Sequence, residues 1–167
     1  YGPLRTYDEC MWPTDPHYVP ERDGFSHMHE GFKGKGCGPL LDEQLTMETK
    51  KTCDLEYQKR ALKFMEKAVK DDKPFYCYFN HSLMHFPMSP RDEFVGKSDN
   101  GDWGDCLLML DHDFGVLVDK LDELGVADNT IVVMCGDNGA EDHLAGRGTG
   151  GFFDGSYFSS AEGGIRT

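Results

Sequence analysis

Apolar positions along the chain follow two rhythms. Between about Thr52 and Val69, the residues Leu55, Leu62, Met65 and Val69 share one helical face with Ala61 and Ala68 beside them, and Glu56, Lys59, Lys63 and Lys67 lie opposite. That pattern predicts an amphipathic helix, stopped by Asp71-Asp72-Lys73-Pro74. A longer helix is predicted from about Asp102 to Gly125, where Trp103, Leu107, Leu110, Phe114, Leu117, Leu121 and Leu124 repeat at alternating spacings of four and three. Two short apolar runs, Phe75 to Phe79 and Thr130 to Cys135, lack helical spacing and predict strands covered on both faces. Strand, long helix and strand then form a βαβ unit with a right-handed crossover. A short helical turn is expected from Pro90 to Phe94.

Elsewhere the pattern breaks down. Residues 1–46 carry Pro3, Pro13, Pro16 and Pro20, then the run Gly31-Phe-Lys-Gly34-Lys-Gly36-Cys-Gly38-Pro39. This composition interrupts helices and strands alike. The aromatic residues among them predict a packed surface excursion rather than disorder. The chain is glycine-rich again after Gly139. Two parallel strands do not make a stable sheet by themselves, so the chain is expected to be a piece of a larger α/β domain. Its parts would be a loop-rich insertion (1–46), a βαβ core with its terminal turn (47–142) and a glycine-rich loop (143–167).

Charge narrows the choice of partner. With 30 Asp and Glu against 17 Lys and Arg, the chain lacks the basic face that nucleic-acid phosphates require. It holds no apolar run long enough to span a bilayer. Its six cysteines contain no Cys-x-x-Cys pair, which argues against zinc clusters and thioredoxin-like chemistry. Cys77, Cys106 and Cys135 fall inside predicted elements and read as buried thiols, whereas Cys10 and Cys37 lie in loops and could pair with each other.

The candidate chemistry sits where the second strand stops, at Gly136-Asp137-Asn138-Gly139. Open α/β sheets bind ligands at the carboxyl ends of their strands. An Asp carboxylate beside an Asn carbonyl offers hard oxygen donors suited to calcium or magnesium. The plain alternative is an Asx turn without metal. The first strand ends in Asn80-His81 and continues to His85-Phe-Pro87. The two histidines would make a zinc pair only on a helix, which Pro87 and the preceding strand oppose. His81 is therefore read as a hydrogen-bonded loop residue.

Taken together, Lys73-Pro-Phe-Tyr-Cys-Tyr-Phe-Asn, His85-Phe-Pro, Gly96-Lys-Ser, Asp102-Trp-Gly-Asp, Leu121 to Val133, Gly136-Asp-Asn-Gly and Glu162-Gly-Gly-Ile-Arg resemble the middle of a type I sulfatase. These are arylsulfatase-like members of the alkaline phosphatase superfamily. The opening, Tyr1-Gly-Pro-Leu-Arg-Thr and Met11-Trp-Pro, is similar to an insertion in one arylsulfatase branch, so the resemblance spans nearly the whole chain.

The resemblance implies an α/β, alkaline-phosphatase-like sandwich with a mostly parallel central sheet, of which this chain would hold an incomplete βαβ portion. It implies Asp137 and Asn138 as ligands of Ca2+, with Mg2+ as the other option, and His85 as a sulfate-contacting donor. The implied reaction is attack on a sulfate ester by a hydrated formylglycine, followed by elimination from the sulfo-enzyme. The implied substrate is a sulfated small molecule or carbohydrate, and the implied setting is secreted, periplasmic or lysosomal. No Cys/Ser-x-Pro-x-Arg motif occurs here, so the nucleophile is expected upstream of Tyr1. The family's sulfate-binding Lys would fall near Tyr157, and Asp154 stands where a basic residue often precedes it. Arg147 is the nearest basic substitute. Two other readings are a phosphodiesterase or phosphonate hydrolase on the same scaffold, and a silent sulfatase-like binding protein.

Overall fold

The computed structural model describes residues 2–3, 27–44, 47–85, 87–140 and 148–165. Its order is β1 (Gly2–Pro3), β2 (His27–Phe32), β3 (Gly36–Gln44), α1 (Met47–Lys70), α2 (Gly101–Glu123), a 3-10 turn (Ala127–Asn129) and α3 (Glu162–Ile165). The glycine-rich run read as free of strands is instead an antiparallel hairpin. Phe32 pairs with Gly36, Gly31 with Cys37 and His29 with Pro39, with a bulge between His27 and His29. The glycines make this possible: Gly34 and Gly36 take φ of +78° and +79°, which a three-residue hairpin connection needs, and Lys35 N donates to Phe32 O at 2.9 Å.

Both helices predicted from periodicity are present, α1 starting five residues earlier than expected. Glu48 in its first turn and Lys67 and Lys70 in its last complement the helix dipole. Both helices end in the same hydrogen-bond closure. In α1, Asp72 N donates to Val69 O and Lys73 N to Ala68 O, each at 3.0 Å. In α2, Gly125 N donates to Asp122 O and Val126 N to Leu121 O. The residue in the left-handed region is Asp72 (φ +51°) in one and Gly125 (φ +69°) in the other, so both are Schellman ends.

The buried faces are rotated from the expected ones. On α1 the core is Cys53, Tyr57, Ala61 and Met65, with Lys50, Asp54 and Gln58 buried among them, while Leu55 is exposed. On α2 it is Cys106, Met109 and Leu121 with Asp105 and Asp113, and Leu107 is exposed. The helices pack on each other, with Gln58 Nε2 donating to Asp113 O at 2.7 Å across the seam and Lys120 paired with Glu66 at 3.3 Å. A stripe drawn through leucines misses a face that is half polar.

The parallel strands are the main correction. Among the described residues the one sheet is β1-β2-β3, all antiparallel, and residues 74–80 and 130–136 form no strand. A strand exists through ladder bonds to a neighbour, and neither run has one here. Their side chains are left bare: Tyr76 is 83% exposed and Ile131 93%. Cys77 and Cys135 are exposed for the same reason, against the reading of buried thiols, whereas Cys106 is buried as expected. Cys53, Cys77, Cys106 and Cys135 are free thiols; Cys37 lies in β3 rather than in the expected loop, and its suggested partner Cys10 lies outside the described residues. The expected turn is present, with Phe94 N donating to Arg91 O at 2.8 Å. No helix among the described residues is long and apolar enough to cross a membrane.

The entry to α2 is fixed by its own buried carboxylate. Asp105 accepts from Gly96 N at 2.7 Å, Ser98 N at 2.9 Å and Ser98 Oγ at 2.7 Å. The Ser98 hydroxyl, the Ser98 amide and the Gly96 amide hold its carboxyl below the usual range. Gly104 lies under this knot, where an added Cβ would stand 2.6 Å from Ser98 Oγ and 2.9 Å from Asn100 Cβ. Alanine normally improves a helix over glycine by about 1 kcal/mol. Here Ser98 cannot retreat without leaving Asp105, so Gly104→Ala is expected to destabilise by about 1–3 kcal/mol through overpacking. A urea unfolding midpoint above that of the parent protein would contradict it.

Candidate functional site

The Asp137-Asn138 turn is built by close approach of backbones. Gly139 N donates to Gly164 O at 2.9 Å, and Tyr157 N to Ala140 O at 2.9 Å. A Cβ on Gly139 would lie 1.8 Å from Gly163 O, and one on Gly163 would lie 2.1 Å from Gly155 O. Only residues without a Cβ let the turn and α3 meet this closely. The loop before α3 closes on itself through Gly163 N to Asp154 O at 2.8 Å. A Cβ on Gly148 would reach the Trp103 ring at 2.7 Å, so the assembly also seats on α2. The two motifs that sequence reading singled out separately, Gly-Asp-Asn-Gly and Glu-Gly-Gly, thus form one structural unit. Asp137 and Asn138 are exposed at its surface, as is Asp154.

These residues meet the chemical demands of a hard cation in part. Asn138 Nδ2 donates to Gly139 O at 3.2 Å, which directs the carbonyl oxygen to the other side of the amide, beside the Asp137 carboxylate in sequence. Calcium takes six to eight oxygens, and no cluster of three or more His, Cys, Asp or Glu side chains occurs among the described residues. The donor types fit; this pair would be a portion of a coordination set.

His85 is held elsewhere, at the end of a loop tied to both long helices. Asp54 of α1 accepts from Ser82 N at 2.9 Å and from Ser82 Oγ. His81, its side chain 8% exposed, accepts from Leu83 N through Nδ1 at 3.2 Å, with Asp54 3.3 Å away, and meets Asp113 through Nε2 at 3.1 Å. Arg91 grips Asp113 with both arms, at 2.8 and 2.6 Å, and its guanidinium lies 5.0 Å from the centre of the Phe94 ring. Burial pushes the Asp113 carboxyl up, but bonds from Arg91, His81 and His112 outweigh it and hold it well below the usual range. The His85 carbonyl accepts from the buried Lys50 Nζ at 3.3 Å. Burial pulls the Lys50 ammonium down, partly offset by Cys53, Asp54 and Cys106, and pushes the Cys53 thiol up to about 12.

His81 is thus the hydrogen-bonded loop residue that sequence reading favoured. Lys50, Asp54 and Asp113 were missed because charged residues on helices read as solvent-facing, and Arg91 because it lies in a short turn between them. The signal for Asp113 was its position between Leu110 and Phe114, inside an apolar stripe. The structure joins His85 to α1, and joins Asp137 and Asn138 to residues 148–165. Arg147 lies outside the described residues.

A family model described as Sulfatase matches residues 12–167. The chain belongs to the sulfatase family. Membership carries the α/β fold of the alkaline phosphatase type, and the full-length relatives are sulfatases by name. The sulfatase chain is 34% identical over 105 residues to an N-acetylgalactosamine-6-O-sulfatase of Bacteroides thetaiotaomicron, covering 57% of this chain and 20% of that protein. It is 31% identical over 114 residues to human arylsulfatase A, covering 68% and 22%, and 30% identical over 143 residues to bovine arylsulfatase A, covering 82% and 28%. The sulfatase chain therefore spans about a fifth to a quarter of the length of these relatives.

Proposed function

We propose that this chain is the central part of the catalytic domain of a sulfuric ester hydrolase that acts on a sulfated small molecule or carbohydrate. The observation that carries the reading is the seating of Asp137-Asn138 directly on Glu162-Gly-Gly, through Gly139 N to Gly164 O, in a chain matched to the family over residues 12–167. Asp137 and Asn138 would hold Ca2+ or Mg2+, which when bound supplies positive charge against the charge that develops on a transferring sulfuryl group. His85 donates to a sulfate oxygen, and Arg147 is the nearest basic residue in the sequence to add a second donor. The formylglycine nucleophile comes from outside these residues. In the complete domain, residues 75–79 and 130–135 become parallel strands of the central sheet, which brings His85 and Asp137 to one edge. The names of the relatives make an amino-sugar 6-sulfate or an aryl sulfate the first substrates to try.

The test uses the longer polypeptide that carries this chain. It is peptide-mapped for an oxidised Cys/Ser-x-Pro-x-Arg segment and assayed on 4-nitrophenyl sulfate beside bis(4-nitrophenyl) phosphate. Formylglycine with sulfate-ester turnover is the expected result. Turnover of the phosphate diester alone, with an unmodified Ser or Thr, would overturn it in favour of a phosphodiesterase. No turnover of either ester would identify the silent relative that the exposed Asp154 favours.

A further inference from the structure

We propose that Lys50 and Asp54, one helical turn apart on α1, are positioning residues that set the place of His85; this rests on the reading of His85 as a sulfate donor. Residues i and i+4 lie on one face of a helix, and both side chains are buried, at 6% and 3% exposure. Each takes a different end of the same short loop. Asp54 fixes the Ser82 amide and hydroxyl and lies 3.3 Å from Nδ1 of His81. Lys50 reaches the carbonyl of His85 itself. Between them, His85 N donates back to Ser82 O at 3.2 Å, so the loop is closed internally as well as pinned at both ends. The imidazole is exposed while its own peptide is anchored from beneath. An exposed donor on an anchored backbone is how a loop residue is kept in a fixed orientation toward solvent-borne ligand.

A buried ammonium is poorly suited to serve stability alone. Lys50 lies where burial opposes its charge, and methionine is an unbranched side chain of similar length that fills the same space. Lys50→Met is therefore expected to fold, and its effect to appear in turnover. In the full-length enzyme assayed on 4-nitrophenyl sulfate, Lys50→Met should lower kcat by about 10- to 100-fold, because small misplacements of a reacting group cost that much. KM should move far less. Lys50→Arg, which keeps a donor to the carbonyl, should recover most of kcat, and Asp54→Asn should reproduce the loss.

The decisive arm is the double variant. A residue acting through His85 has nothing left to act on once His85 is Ala, so Lys50→Met should add no further loss in that background. An unchanged kcat in Lys50→Met, or a loss fully additive with His85→Ala, would overturn the positioning role and leave the sulfate-donor reading standing. An undiminished kcat in His85→Ala alone would overturn that reading and this inference with it.

Discussion

Replacing Arg91 by Ala is expected to destabilise the protein by about 3–5 kcal/mol, the cost of leaving one member of a buried ion pair without its partner. Arg91 and Asp113 have side chains 5% and 2% exposed, and the guanidinium meets the carboxylate with two parallel bonds. Such a fork is the strongest form of this contact. Once it is gone, Asp113 keeps only the two imidazoles, His81 and His112, at 3.1 and 3.2 Å. The loss should depend on pH in a defined direction. Because the folded carboxyl is held below its ordinary value, its stabilising contribution is complete above the unfolded pKa of about 3.9 and drains away as pH falls below it. The gap in urea unfolding midpoint between parent and Arg91→Ala should therefore be widest near neutrality and shrink on acidification. A gap that stays constant down to acid would mean that the pair's charge is not what holds α1, α2 and the 81–91 loop together.

The second large effect is at the turn. Asp137→Ala should lower kcat by about 10²- to 10³-fold, since a bound cation stabilises transition-state charge by several kcal/mol and each 1.36 kcal/mol is tenfold. Calcium affinity, measured by titration calorimetry on the full-length protein, should fall in parallel. Fold stability should change little, because Asp137 is exposed and the contacts that seat the turn belong to Gly139, Gly163 and Gly164. Unchanged calcium binding would remove Asp137 from the ligand set.

What could be read from the sequence divides along physical lines. The two long helices were legible because their apolar spacing and stop signals are local. Which face of each helix is buried was not: Lys50, Asp54, Gln58 and Asp113 occupy core positions, and their partners lie 22 to 55 residues away. The β2–β3 hairpin was hidden by Gly31, Gly34, Gly36 and Pro39, residues that usually interrupt strands and here make its turn and its edge. Residues 75–79 and 130–135 have the composition of strands, but composition supplies no neighbour to bond with. In the site, Gly-Asp-Asn-Gly and Glu-Gly-Gly were legible as motifs. Their contact was not, since it is made by missing side chains rather than by present ones.

The apolar runs at 75–79 and 131–134, exposed over most of their length, have a consequence for handling. An extended apolar segment with open backbone donors and acceptors is a template for any other such segment. Two of them on one molecule make it bivalent, able to bridge copies into chains as well as pairs. The surrounding net charge of −13 opposes that association by repulsion, and salt weakens the repulsion. Purified alone, the polypeptide should therefore stay dispersed best in dilute, low-salt buffer near neutral pH and lose solubility as it is acidified toward its isoelectric point near 4.8.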